Sequence, residues 1–271
     1  MNEVVLLDVQ DGVAVLTLNR PDRLNAWTGE LQVRYFDLLA ECGARVDVRA
    51  IVVTGAGRGF CAGADMANLQ SIAAQDGSGP TSGEHDAREV TFPLSIPKPI
   101  VAAINGACAG LGLVMALMCD LRFAAEDAKL TTAFVRRGLI AEHGISWLLP
   151  RLVGHAHALD LLLSGRVVLG SEAARLGLVN RAVAGDKVLD QAVEYARMLA
   201  VESSPASMAT IKRQVWRDLD RPLGDALAGA DRLMLDSFAA PDFREGVTSF
   251  LEHREPDFPA LATGPSPLAP S

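Results

Sequence analysis

The sequence predicts an α/β fold: a core of alternating strands and helices, then an α-helical C-terminal region. Three observations carry that reading. Apolar runs of strand length at 50–54, 100–104 and 121–124 are bounded by turn residues or charge. Two of them enter glycine-rich turns that open onto helix-like segments. From Asp186 onward the pattern is helix after helix, over 186–200, 205–219, 222–237 and 241–252.

In chain order, 4–9 and 13–18 are β-rich runs joined at Asp11-Gly12, a hairpin signal. Residues 20–26 read as a loop. Thr28 is placed to cap a helix whose apolar positions, Leu31, Tyr35, Leu38 and Leu39, share one face. After the strand at 50–54, a helix is expected over 64–74, a polar turn-rich loop over 76–83 and a further helix over 84–94. The strand at 100–104 leads through Asn105-Gly106 and small residues into an apolar helix over 113–118. The strand at 121–124, a loop over 134–144, helices over 145–152 and 155–163, and a last strand at 182–183 complete the core. We divide the chain into a core at 1–200, a helical region at 201–258 and a disordered tail at 259–271, rich in Pro, Ala, Gly and Ser.

A chain of 271 residues with 49% hydrophobic content can bury a sizeable core. Its net charge of −8 argues against nucleic acid as the main partner, because phosphate binding needs a basic face. The four cysteines, Cys42, Cys61, Cys108 and Cys119, are scattered, and read as small buried residues in a reducing compartment. The start, MNEVVLLDVQ, carries acids and lacks the basic head and long apolar run of a signal peptide, so a cytoplasmic location is expected. No stretch is long and apolar enough to suggest a membrane span; Lys98, Asp120 and Arg122 bound the longest candidate. In Gly55-Ala56-Gly57-Arg58-Gly59-Phe60 the third glycine of a dinucleotide loop is replaced by Phe60, and no Walker lysine follows. His, Cys, Asp and Glu show no metal-ligand spacing, and there is no Gly-x-Ser-x-Gly elbow. No metal and no separate cofactor is expected.

The chemistry is expected at two strand–glycine-turn–helix units, residues 50–66 and 100–120. Each places backbone N–H groups at the start of a helix, where free donors and the helix dipole favour negative charge. Two such loops can each offer one N–H to the same oxygen, which is what an oxyanion hole requires.

These residues carry a resemblance. Phe60-Cys61-Ala62-Gly63-Ala64-Asp65, followed by Ile104-Asn105-Gly106 and Met118-Cys119-Asp120, resembles the crotonase superfamily of enoyl-CoA hydratases and isomerases. Arg20-Pro21-Asp22-Arg23-Leu24-Asn25-Ala26 resembles its CoA-side loop. Leu149-Pro150-Arg151-Leu152-Val153-Gly154, Ala173-Ala174-Arg175-Leu176-Gly177-Leu178-Val179 and the segment from Glu245-Gly246 to Phe250 also fit, so the likeness runs unbroken over about 3–258. It implies the crotonase spiral, in which ββα turns build two roughly perpendicular sheets ahead of a C-terminal helical region. It also implies assembly as a homotrimer or, by pairing of trimers, a homohexamer. Leu223, Leu227, Leu233, Leu235 and Phe238 fit that interface, or equally an internal core. The implied partner is an acyl-CoA thioester, with coenzyme A arriving as part of the substrate.

By the same likeness, Ala64 and Leu111 occupy the positions whose amides form the oxyanion hole. Ala62, Ala64, Asp65 and Met66 would contact the CoA arm, and Asp22, Arg23 and Leu24 match its pantetheine and adenine side. Arg23 is a candidate for a CoA phosphate. Asp65 would also cap a helix or bind loop amides. Gly110, Leu111, Val114 and Phe134 would lie on the substrate side. Leu111 replaces the family's usual glycine; the amide donor survives, but a side chain now stands beside the acyl pocket. The two hydratase glutamates align with Val114 and Phe134, which cannot move a proton. Glu142 stands where the family's dienoyl-CoA isomerases carry an acid. It is the candidate base and acid, in the company of Phe134, Leu139 and Trp147, the alternatives being a solvated loop acid or an ion pair with Arg136 or Arg137. His143 is a weaker candidate, since chain neighbours often point apart, as are Glu84 and His85. The expected activity is isomerase-like proton shuttling by Glu142. Water addition by other acid–base groups and non-catalytic acyl-CoA binding stay as alternatives, and fatty-acid, aromatic and sterol side-chain degradation are all open.

Overall fold

The computed structural model describes residues 3–74 and 86–261. Asp11 and Gly12, with φ of 49° and 79°, turn β1 (Val5–Gln10) back onto β2 (Val13–Leu18) as an antiparallel pair. The side chain of Thr28 accepts from the Leu31 amide at 3.2 Å and opens α1 (Gly29–Ala44), whose Leu31, Tyr35, Leu38 and Leu39 are all buried. Three ββα turns follow. The first is β3 (Ala50–Gly55), β4 (Gly59–Cys61) and α2 (Met66–Ala74). The second is β5 (Ile100–Ile104), β6 (Ala107–Ala109) and α3 (Leu111–Leu117). The third is β7 (Leu121–Ala125), β8 (Lys129–Thr131) and, after a long loop, α4 (Ile145–Val153). Then come α5 (His155–Ser164), β9 (Val168–Leu169), α6 (Gly170–Arg175), β10 (Arg181–Val183) and four helices: α7 (Val188–Glu202), α8 (Pro205–Asp218), α9 (Leu223–Ala239) and α10 (Pro241–Glu252).

Within each turn the first strand joins one sheet and the second strand the other. The larger sheet has the order β1-β2-β3-β5-β7-β10 and the smaller β4-β6-β8-β9. From β2 onward the larger sheet is parallel. Its strands read as continuous apolar runs because both faces are covered. Alternation along β3 sends Ile51 and Val53 toward α1 and the smaller sheet, and Ala50 and Val52 toward α7. There Ala192, Ala196 and Ala200, four residues apart, let α7 lie close against the strands.

The helix expected over 84–94 is a correction. Residues 86–91 are bend and turn, and only a short 3-10 segment, Phe92–Ser95, is helical. Asp86 accepts from the Arg88 backbone amide at 2.9 Å and from its guanidinium, a local side-chain bond that competes with a helix, and Pro93 follows. Residues 84 and 85, the loop at 76–83 and the tail from 262 lie outside the described residues. The C-terminal helices are fastened to the core by Lys212, whose Nζ donates to Asp120 at 2.8 Å while Asp120 accepts from the Ile100 amide at 2.7 Å. Among the described residues no helix is long and apolar enough to cross a membrane.

Candidate active site

Three neighbouring parallel strands, β4, β6 and β8, end at one edge of the smaller sheet. Side chains and amides just beyond those ends converge, as ligand sites on α/β sheets ordinarily do at the carboxyl ends of strands. They enclose a cavity of about 310 Å³ lined by residues of the first loop (Ala62, Gly63, Ala64, Asp65, Met66), of the second (Gly110, Leu111) and of the third (Thr132, Phe134, Arg137, Leu139, Glu142, His143), with Arg23 and Ala26 at its side.

The first two loops touch. Gly63 has φ +94°, and a Cβ there would lie 2.7 Å from the Ala109 carbonyl oxygen and 3.7 Å from the Leu111 nitrogen. Only glycine allows this approach and this φ together. The Gly63 carbonyl accepts from the Trp27 amide at 2.7 Å, and the Asp65 amide donates to the Trp27 carbonyl at 3.0 Å. Ala64 is thus bracketed with its own N–H unused. On the other side Gly110, at φ +51°, donates to the Thr131 carbonyl at 3.0 Å and hands the chain to α3, whose first residue is Leu111. Among the described residues neither the Ala64 nor the Leu111 amide donates to a protein acceptor. Both residues line the cavity.

Buried polar side chains hold the first loop in place. Asn25, fully buried at φ +55°, accepts from the Arg20 amide at 2.8 Å and donates to the carbonyls of Ala56 at 3.0 Å and Gly59 at 2.8 Å. Asn105 donates to the carbonyls of Gly55 at 2.8 Å and Gly57 at 2.9 Å, stitching the two glycine turns together. Asp65 accepts from Arg20 at 2.9 Å and from the Ala67 amide at 3.1 Å, and the guanidinium holds its carboxyl below the usual carboxylate range. Sequence reading placed Asn25 in the CoA-side loop without a role of its own; the signal was an asparagine, the residue after glycine best suited to left-handed backbone.

Of the residues singled out in the sequence, Arg23, Ala62, Ala64, Asp65, Met66, Gly110, Leu111, Phe134 and Glu142 are on the cavity wall. Asp22, Leu24 and Val114 are not. Asp22 is exposed, Leu24 packs where a Cβ on Gly59 would touch it, and Val114 is fully buried in the core. Arg136 and Arg137 are not ion partners of Glu142. They donate to the carbonyls of Ser164 at 3.1 Å and Ala133 at 3.2 Å. Trp147 is turned away from the cavity: it stacks on Trp216 with ring centroids 6.3 Å apart, and the Arg151 guanidinium lies over it. The four cysteines are free and buried, and burial pushes the thiols of Cys61 and Cys119 up to about 12, so neither offers a ready thiolate. Among the described residues no three His, Cys, Asp or Glu side chains are grouped to hold a metal ion.

The profile of the family described as enoyl-CoA hydratase/isomerase matches residues 8–260. The chain belongs to that family. A relative from Escherichia coli, named 1,2-epoxyphenylacetyl-CoA isomerase, is 37% identical over 95% of this chain and 99% of its own length. A solved enoyl-CoA hydratase from Mycobacterium marinum is 48% identical over 81% of this chain and all of its own, with a TM-score of 0.69. Another, from Polaromonas, is 28% identical over 94% of this chain and 99% of its own, with a TM-score of 0.84. The fold is thus the crotonase spiral of the enoyl-CoA hydratase/isomerase family.

Proposed function

We propose that this enzyme moves a proton along an enoyl-CoA thioester, with Glu142 acting first as base and then as acid. The thioester oxygen sits between the amides of Ala64 and Leu111, so the charge that develops on it in the dienolate meets donors already in place. Glu142 takes a proton from C2 of a 3-enoyl chain and returns it at C4. The double bond moves from C3–C4 to C2–C3, and no atom is gained or lost.

One observation carries this reading, the composition of the cavity wall. Of its two carboxylates, Asp65 is tied to Arg20, whereas Glu142 has no lysine or arginine within ion-pair reach among the described residues. Positions 114 and 134, a buried valine and a phenylalanine, offer no proton. The E. coli relative is named an isomerase of an epoxide-bearing CoA thioester, which supports isomerisation as a reaction class and not the double-bond shift itself. Water addition is the second reading, favoured by the relatives from M. marinum and Polaromonas, which are named hydratases.

The test is NMR of the protein with 3-hexenoyl-CoA and, separately, crotonyl-CoA in D₂O. Double-bond migration with deuterium uptake is expected, falling by about 10²–10⁴-fold in Glu142→Gln. Formation of 3-hydroxyacyl-CoA would favour water addition. Tight binding without turnover would leave an acyl-CoA-binding protein.

The reaction calls on no separate cofactor. Four free, buried cysteines suit a reducing compartment, and we place the enzyme in the cytoplasm. A cleft of about 840 Å³ opens between α8, α9 and α10, lined by Ile211, Met234, Phe243, Val247, Phe250 and Leu251. The region 201–258 fits a self-assembling role on this ground, building a homotrimer or homohexamer.

A further inference from the structure

We propose that His143 is the positioning residue of Glu142, orienting its carboxylate at the cavity through Nε2. This deepens the proton-shuttle reading and rests on it. Consecutive side chains ordinarily diverge, yet both of these line the same cavity, and His143 Nε2 lies 3.8 Å from Glu142 Oε2. The backbone brings this about. His143 has φ +56° and Gly144 φ +77°, two left-handed residues in succession where the loop doubles back into α4. Glycine takes that conformation freely, and at 144 it does so as the residue preceding α4. At 143 the chain adopts it with an imidazole in place, a conformation uncommon outside glycine. Strained backbone of this kind clusters where a side chain must be aimed.

A separation of 3.8 Å is longer than a hydrogen bond. Both side chains are about one-third exposed, 36% for His143 and 34% for Glu142, so a rotation of either has room to close the gap. Catalytic hydrogen bonds are often long before substrate binds and tighten in the complex. A neutral imidazole donating to one carboxylate oxygen leaves the other aimed at the substrate carbon. The remaining charged groups on the wall are Arg23, Arg137 and Asp65. Asp65 is bound to Arg20 and Arg137 to the Ala133 carbonyl, and no arginine lies within 4.0 Å of Glu142 among the described ion pairs.

The test compares kcat and KM for double-bond migration across pH in wild type, His143→Asn, His143→Gly and Glu142→Gln. Asparagine tolerates the backbone conformation and keeps an N–H donor, but cannot take up a proton. Glycine keeps the backbone and removes the donor. His143→Asn is expected to hold kcat within about threefold and KM within about twofold. His143→Gly is expected to lose roughly tenfold or more in kcat with KM within about twofold. Wild-type kcat in both variants, or a loss carried by KM and not by kcat, would overturn the role of His143 while an inactive Glu142→Gln left the shuttle standing. An active Glu142→Gln would overturn the shuttle, and this inference with it.

Discussion

Arg20 and Asp65, 45 residues apart in the chain, meet at 2.9 Å and tie the loop after β2 to the loop after β4. The pair is mostly shielded, with side chains 22% and 17% exposed. Asp65 immediately follows Ala64, so the ion pair fixes the peptide next to the free amide. Arg20, followed by the Ala67 amide, depresses the Asp65 carboxyl, and the sign of the effect on stability follows. A carboxyl whose pKa is lower folded than unfolded adds stability that is present above the unfolded value and lost as pH falls through the folded one. Asp65→Asn should therefore unfold at lower urea than wild type at pH 7. The two midpoints should converge as pH drops below the ordinary aspartate range, near about 4. A constant difference across pH would place the effect outside the ion pair.

Gly63→Ala should fail for two reasons at once. The new Cβ meets the Ala109 carbonyl oxygen at 2.7 Å, and φ +94° is strained for any L side chain. We expect about 1–3 kcal/mol of destabilisation by denaturant melts. Because the strain sits beside Ala64, kcat should fall by roughly 10²-fold even in the folded fraction. Full activity in a folded variant would show that the Ala64 amide is not a donor.

Leu111 permits a backbone test. It is the first residue of α3, where proline is well tolerated because the missing N–H has no helical partner. Leu111→Pro should keep the fold and lose about 10²–10³-fold in kcat with the oxyanion donor. Leu111→Gly keeps the donor and removes a half-buried side chain from the cavity wall. Its kcat should survive, with preference shifted toward bulkier acyl groups. Equal activity of the proline and glycine variants on an acyl-CoA panel would remove Leu111 from the hole.

The sequence made the long elements plain because their signals are local. Thr28 with Leu31, Tyr35, Leu38 and Leu39 reads as a capped, one-faced helix, and 50–54 as a buried strand. The three-residue strands β4, β6 and β8 were invisible, being too short for any period, although they set the edge where the site forms. The segment at 84–94 misled because its helical pattern ignored Asp86 binding Arg88. Within the site, Ala64 and Leu111 were singled out by the family resemblance, and both lie on the cavity wall. The convergence of Glu142 and His143 was not legible, because it depends on two successive positive φ angles that composition does not encode. Trp147, expected in the company of Glu142, instead stacks on Trp216 of α8.

The apolar surface of the C-terminal helices makes a prediction about assembly. Phe250 and Leu251 are 76% and 70% exposed, and they line the cleft between α8, α9 and α10. Single exposed apolar residues are ordinary, but a contiguous group beside an open apolar cleft marks an interaction surface. A closed assembly of identical chains would cover it without leaving a sticky edge. Phe250→Asp places a charge where burial against another copy would strip its water, at a cost of several kcal/mol, while leaving a side chain that is exposed within one chain free to solvate. Sedimentation velocity should therefore show a discrete multi-subunit species for wild type. The variant should sediment as a smaller species with an unchanged far-UV spectrum. Wild-type protein that sediments as a monomer at micromolar concentration would remove the assembly role from 201–258 and leave the cleft to some other use.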